Sequence, residues 1–408
     1  MTTTPAPIEL DPTGRDVHAE AGRLRAAGPA VRVALPDGVV AWSVTRGDVV
    51  RTLLTHPAVS KDAAKSWPGY EPGAIPWLTA WTDGGSMFTA DGEDHDRLRR
   101  LISQTFTARR VEAFRPAIEA LVADLVTSLR ARPPGTVVDL RAAFANEVPT
   151  RLIMDLFGVP EERRPETLRV VNGALDTSKS PDEAAAHRRD LLQAMRTLIS
   201  LKRAEPGDDM ITHLVTVRDV NGDQLTDPEL VSTLILLIGA GTTTTIALLG
   251  WAVHELLSHP DLLADVRRGA ASWADAIEET LRLHPPIVHL PLRYATADID
   301  LGEGVTIRAG DCILTGFGAH GRDPAVHQDP EAFRLDRADK QHLAFGHGAH
   351  YCLGAPLARL EAGIALPELF AAFPDMRLAL DDPDADPERQ ESFIANDLRA
   401  LPVRLTPN

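Results

Sequence analysis

Residues 345–354 read FGHGAHYCLG and bring three glycines, two histidines and one cysteine into ten positions. A sulfur in such a stretch can be an inert buried thiol, a zinc ligand, a nucleophile or the ligand of a bound cofactor. Zinc would draw on His342, His347 and His350, but H-x4-H-x2-H-x-C is not a regular structural zinc spacing, and no second cysteine is nearby. A cysteine nucleophile needs a histidine and an orienting Asn or Asp from elsewhere in the fold, which one chain's spacing does not reveal. Cys352 is followed by Leu-Gly-Ala-Pro and then by the helical pattern LARLEAG, with Pro356 suited to a first turn. The sulfur is therefore expected beside a helix N-terminus, where backbone N–H groups favour the thiolate of a group that otherwise titrates at about 8.5. Gly346, Gly348 and Gly354 allow close backbone approach to a flat ligand. His350, two residues before the cysteine, could donate to an anionic group. The other cysteine, Cys312 in GDCILTGF, is expected to be buried and inert.

A second stretch raises a chemical question of its own. From Val231 to Val253 no residue is charged, yet four consecutive threonines, Thr242 to Thr245, interrupt the apolar run. A membrane span needs about 20 apolar residues, and the glycines and threonines here argue instead for a helix buried in a large soluble protein. Threonine hydroxyls can bond to the carbonyl one turn back and open a local notch in such a helix.

The remaining elements must position these two stretches. Helical periodicity dominates: DVVRTLLTH, HDRLRRLISQTF, RVEAFRPAIEALVADLVTSLRA, EVPTRLIMDLFG, RRDLLQAMRTLISLKRA, WADAIEETLRLH and LARLEAGIALPELFAAF all repeat apolar residues at three and four. AVRVAL and VVAWSV, separated by Pro36, Asp37 and Gly38, predict a small hairpin, and DIDLGEGVTI, ILTGF, MRLAL and LPVRLT are further short strands. The reading is a mainly α fold with a minor β portion. A chain of 408 residues can hold two or three domains, but no repeat or long linker divides it, so a single domain over 1–408 is expected.

With 58 acidic against 42 basic side chains, a net of −16, neither nucleic acid nor an anionic membrane is an expected partner. Two cysteines and an N-terminus without a basic-then-apolar pattern point to the cytoplasm. Two segments look like covers over a binding site. Residues 66–85 hold Trp67, Trp77 and Trp81 with Tyr70 among prolines and glycines, and 177–190 is a polar break between helices.

FGHGAHYCLGAPLARLE closely resembles the haem-binding loop and following helix of bacterial cytochrome P-450 enzymes, in which phenylalanine, two glycines, a basic residue, the cysteine and a further glycine recur. Other landmarks fall in order. Glu279 and Arg282 in EETLR match the family's Glu-x-x-Arg, and GRDPAVHQDPEAFRLDR, with Arg322, Asp323, Phe333 and Arg337, resembles the segment leading into the haem loop. IGAGTTTT resembles the oxygen-activation segment of the distal helix. The resemblance spans roughly residues 15–405.

It implies a cytochrome P-450 fold and haem b, with Cys352 as the proximal ligand to iron, Phe345 packed near the sulfur and Gly354 among the cofactor-binding residues. His95 and Arg99, four apart on one helix, with Arg293 and His350, match the propionate partners. Glu279 and Arg282 match a buried structural pair. Ala240 and Gly241 would line the oxygen notch and Thr244 would be the alcohol, while Thr243 stands where most relatives carry Asp or Glu. A threonine has no carboxylic proton, so proton transfer would run through hydroxyls and water. The implied function is a haem-thiolate monooxygenase that uses O2 to hydroxylate or otherwise oxidise a medium-sized apolar secondary metabolite, with NAD(P)H electrons arriving through ferredoxin reductase and ferredoxin. Trp67, Trp77, Trp81 and Ile238 are pocket candidates. Arg97, Arg100, Arg109 and Arg110 form a basic cluster at which an acidic ferredoxin would dock. The departure at Thr243 also admits oxidative C–C or C–N coupling, or, in a different class, an inert haem-fold binding module.

Overall fold

The computed structural model describes residues 6–172, 181–379 and 387–406. Backbone contacts divide the chain into two compact units, one of Met1–Val59, Phe114–Pro149 and Thr243–Asn408, the other of Ser60–Ala113 and Thr150–Thr242. Helix dominates and sheet is minor, as the periodicity predicts.

In the first unit the expected hairpin forms. Val31–Ala34 pairs antiparallel with Val40–Val44, and the turn between them places Asp37 and Gly38 at φ of 58° and 75°. Val40–Val44 then pairs in parallel with Cys312–Gly316, which pairs antiparallel with His289–Ala295. The inward side chains of this sheet, Val44, Ala295 and Ile313, pack on Val50, Leu53 and Leu54 and on Phe317 and Leu343. Each such buried aliphatic side chain contributes about 1.5–3 kcal/mol relative to exposure. Leu343 is two residues from Phe345, so this cluster also anchors the entry to the cysteine loop. Farther along, Arg377–Leu378, Pro402–Arg404 and Val137–Asp139 form a small antiparallel sheet, and Ile299–Asp300 pairs with Thr306–Ile307.

Ala355–Ala372, the helix that follows Cys352, packs against Arg115–Arg130 and Trp273–Leu283. The periodic stretch beginning at Arg110 is two helices, Ala108–Ala113 and Arg115–Arg130, because Pro116 lacks the N–H that a continuous helix would use there.

In the second unit Pro181–Ala204 packs on Arg164–Asn172 and on Met210–Thr216. Asp209 caps the last of these by accepting from the Thr212 N–H at 2.9 Å, and its carboxylate also meets Lys202 Nζ at 2.8 Å. Most of the polar break expected at 177–190 is helix instead. Residues 177–180 lie outside the described residues, and from Pro181 the chain is helical, with Asp182 and Glu183 in the first turn and an alanine run behind them. Asp227–Ser258 is one helix of 32 residues, the one described helix long and apolar enough to cross a membrane. Only half of its most apolar window is buried.

A buried ion pair organises the first unit. Glu279 and Arg282, one turn apart on Trp273–Leu283, have side chains 0% exposed, and both guanidinium–carboxylate hydrogen bonds are 2.8 Å. The remaining Arg282 donors go to the carbonyls of Gly321, Pro330 and Ala332, while Glu279 Oε1 also accepts from the Arg334 N–H and from Arg337 Nε. Isolated, this pair would read as a weak surface bridge. Here removing one partner strands a buried charge, so Glu279→Gln or Arg282→Met should lower the unfolding free energy by about 3–5 kcal/mol in chemical denaturation.

Burial also holds histidines neutral. It pushes the His289 ring below the usual value and His320 to about 4, whereas both titrate near 6.5 when exposed. The unfolded chain therefore binds more protons across that interval, so the stability these neutral rings confer is complete above it and is lost as pH falls through it. Urea midpoints should fall as pH drops from about 7 to about 5, and His320→Gln should flatten that dependence.

Candidate active site

The loop around Cys352 is shaped by its own backbone. The Cys352 N–H donates to Phe345 O at 2.8 Å, closing 345–352 into a tight bend, and the Gly346 N–H donates to Leu343 O at 2.8 Å. Gly346 and Gly348 sit at φ of 71° and 76°, which side chains disfavour. At Gly348 a Cβ would also come within 2.8 Å of Thr55 Cγ2, so this glycine is required by contact as well as by conformation. The helix Ala355–Ala372 starts directly after Gly354, and a Cβ at Gly354 would lie 3.8 Å from Cys352 Sγ. The sulfur is therefore held next to the helix start, on an exposed residue. Cys312 is the opposite case: it is buried in a strand, its thiol is pushed up to about 12 by burial, and neither cysteine is in a disulfide.

These residues fit a haem better than the alternatives read from spacing. Among the described residues no three His, Cys, Asp or Glu side chains are grouped as a metal site, so the zinc reading with His342, His347 and His350 has no geometry behind it. His342 is committed elsewhere, with Nε2 at 3.0 Å from Glu278 Oε2. A haem asks for one thiolate on an accessible loop and for an apolar face. On the long helix, Leu236, Ala240, Thr243 and Thr244 keep exposed surface.

The expected site residues are placed as follows. Phe345, His350, Cys352, Arg293, Thr243 and Thr244 belong to the first unit, and His95, Arg99, Ala240, Gly241, Ile238 and the three tryptophans to the second. Arg293 is buried on His289–Ala295 where the pairing register shifts between Leu290 and Arg293, an irregularity that re-aims a side chain. His95 and Arg99 share a face of Gly92–Ser103, with His95 buried.

The surroundings of several of these residues are defined by the fold. Ile238 is fully covered by protein and does not border open space, while Leu236 and Leu237 keep part of their surface. A Cβ at Gly241 would strike Ile153 Cδ1 at 2.7 Å, so the missing side chain serves helix packing there. The Thr242 hydroxyl donates to Ile238 O and Gly239 O at 3.2 Å, and the helix stays continuous. Arg97 is paired with Glu229, and Arg100 with Asp219 at 3.3 Å, so half of the basic cluster is neutralised internally, leaving Arg109 exposed and Arg110 partly so.

Sequence reading missed two polar centres. One is Asp83, hub of the Trp-rich loop. Its Oδ1 accepts from Tyr70 OH at 3.0 Å and from Thr82 Oγ1 at 2.8 Å, its Oδ2 accepts from the Gly73 N–H at 2.7 Å, and Arg188 Nη1 of Pro181–Ala204 stands 3.8 Å away. Burial and this carboxylate push the Tyr70 hydroxyl up to about 12. Within that loop Trp77 is buried and Trp67 and Trp81 are half-buried, Trp81 packing on Phe88. The other is Glu278, neighbour of Glu279, which binds Arg359 and His342. A second acid beside Glu279 was the only hint of it in the sequence.

With this geometry in view, comparison with known proteins is specific. The family model for cytochrome P450 matches residues 182–270 and 274–398. The chain is 45% identical over 403 residues to 2-hydroxy-5-methyl-1-naphthoate 7-hydroxylase of Streptomyces carzinostaticus, covering 98% of this chain and 97% of that one. It is 36% identical to 6-deoxyerythronolide B hydroxylase of Saccharopolyspora erythraea, covering 99% of this chain and 100% of the other. The structure of CYP154A1 from Streptomyces coelicolor A3(2) superposes with a TM-score of 0.90 at 46% identity, covering 98% of this chain and 100% of that one. The chain is thus a haem b oxidoreductase of the monooxygenase class, dependent on O2, a small-molecule substrate and an electron donor, and it belongs to the cytochrome P450 family.

Proposed function

We propose that Cys352 is the proximal thiolate of a single-domain haem enzyme of the cytoplasm, and that its substrate is a medium-sized apolar natural product. The observation that carries the thiolate assignment is the Cys352 loop, bent by the Cys352 N–H to Phe345 O bond and set against a helix start. When bound, haem supplies the oxidising chemistry, and the thiolate's electron density favours O–O cleavage. The protein's own work is binding, orientation and proton movement. Phe345 packs beside the sulfur, and Gly354 leaves it room. His95, Arg99, Arg293 and His350 hold the propionates, supplying the positive partners that carboxylates need in an apolar setting.

Ala240, Gly241, Thr243 and Thr244 form the distal segment. The hydroxyls of Thr243 and Thr244, which keep part of their surface, move protons with ordered water in place of a carboxylic acid. The half-buried rings of Trp67 and Trp81 and the partly exposed Leu236 and Leu237 are apolar walls for substrate. The relative that hydroxylates 2-hydroxy-5-methyl-1-naphthoate supports a fused aromatic substrate in particular. Electrons come from NAD(P)H through ferredoxin reductase and a ferredoxin that docks on Arg109 and Arg110.

Three measurements test this reading. Reduced protein under carbon monoxide should absorb at about 450 nm, and Cys352→Ser should abolish that band; a band retained without the sulfur rules out the assignment. Reversing charge at Arg109 and Arg110 should slow ferredoxin-supported turnover at low ionic strength, and unchanged turnover would remove the docking site. Asp83→Ala should speed amide exchange across residues 70–85 while leaving the 450 nm band in place, because it cuts the loop's hub and touches no haem residue.

A further inference from the structure

The cysteine loop is flanked by a charged network that the proposed chemistry does not use. Arg359, on the helix after Cys352, is gripped bidentately by Glu278, with Nε at 2.6 Å from Oε1 and Nη2 at 2.9 Å from Oε2. Its guanidinium lies 4.5 Å from the centroid of the Phe345 ring, a cation–π contact. Nη1 reaches Tyr351 OH at 3.4 Å. Through a second arm, Glu278 Oε2 holds His342 Nε2 at 3.0 Å, and His342 Nδ1 accepts the Ala344 N–H at 3.2 Å. One carboxylate therefore reaches positions 342, 344, 345 and 351, which bracket the bend that ends in Cys352. The Phe345 carbonyl is the acceptor of the Cys352 N–H, so the orientation of residue 345 is part of the geometry of the sulfur.

Arg359 lies close to the loop, yet much of its charge is matched by Glu278, which makes it poorly suited to attracting an acidic partner and well suited to fixing a ring. A planar guanidinium locked by two hydrogen bonds has one orientation, and a phenyl ring beneath it is held by electrostatics as well as by contact.

We propose that Glu278 and Arg359 act as one positioning unit that clamps Phe345 and keeps the Cys352 bend in its ligand-holding shape. This rests on Cys352 being the haem thiolate. It extends that reading by naming residues outside the proposed set of haem-holding residues.

The experiment uses substrate-free holoenzyme, reduced with dithionite under carbon monoxide, and follows the conversion of the 450 nm band to one at about 420 nm as the thiolate is lost. Arg359→Met and Glu278→Gln should each speed that conversion by about two- to five-fold, the effect of losing one cation–π contact. The double variant should be no faster than the faster of the two single variants, since Glu278 acts on the Phe345 ring through Arg359. Arg399→Met, which removes only an exposed ion pair with Glu388, should convert at the wild-type rate. Wild-type rates in both single variants, or additive effects in the double, would overturn the clamp. If wild-type protein lacked the 450 nm band, the thiolate assignment would fall and the clamp with it, whereas a normal band with unchanged variants overturns the clamp alone.

Discussion

A guanidinium and a carboxylate with no exposed side-chain surface, Arg282 and Glu279, set the terms for much of the first unit. Burying both charges is costly, and the cost is offset only if nearly every donor and acceptor is met. That requirement draws in distant chain: the carbonyls of Gly321, Pro330 and Ala332, the N–H of Arg334 and the side chain of Arg337 all converge on the pair. The irregular stretch 321–337, which has little regular secondary structure, is thereby given a fixed course. It delivers the chain to Leu343, which the sheet cluster seizes, and so to the cysteine loop.

Adjacent glutamates on one helix divide this labour. Glu279 faces inward and fixes the approach to the loop. Glu278, its neighbour, serves the loop itself through Arg359 and His342, and those contacts hold its carboxyl down at about 2 despite partial burial. The two acids differ in environment more than in kind, since one is sealed in a polar cage and the other is partly open to water.

The long helix shows the complementary use of apolar material. Its composition would suit a bilayer, yet half of its most apolar window is packed inside the protein, while Leu236, Ala240, Thr243 and Thr244 keep exposed surface. Gly241 and Thr242 have different duties there, one admitting Ile153 and the other tying its hydroxyl to the backbone. A run of four threonines is therefore not four equivalent hydroxyls. Helical rotation of about 100° per residue separates them into packed and open positions.

Local chemistry was legible in the chain itself. The helix start after Cys352, the glycines that permit positive φ, the hairpin at 31–44 and most helices follow from short-range sterics and periodicity, which a sequence carries directly. The family resemblance rested on the same local motifs, including Glu279 with Arg282. Tertiary structure alone decided which partners those residues meet. Asp83 as a hub, Glu278 as a double anchor, Ile238 as a packed residue, and Arg97 and Arg100 as spent charges all depend on chain segments separated by as many as 132 positions, as in Arg97 with Glu229. Spacing along a strand or helix fixes which face a side chain takes. It is silent on what the fold brings to that face, because burial and ion pairing are set by long-range contacts.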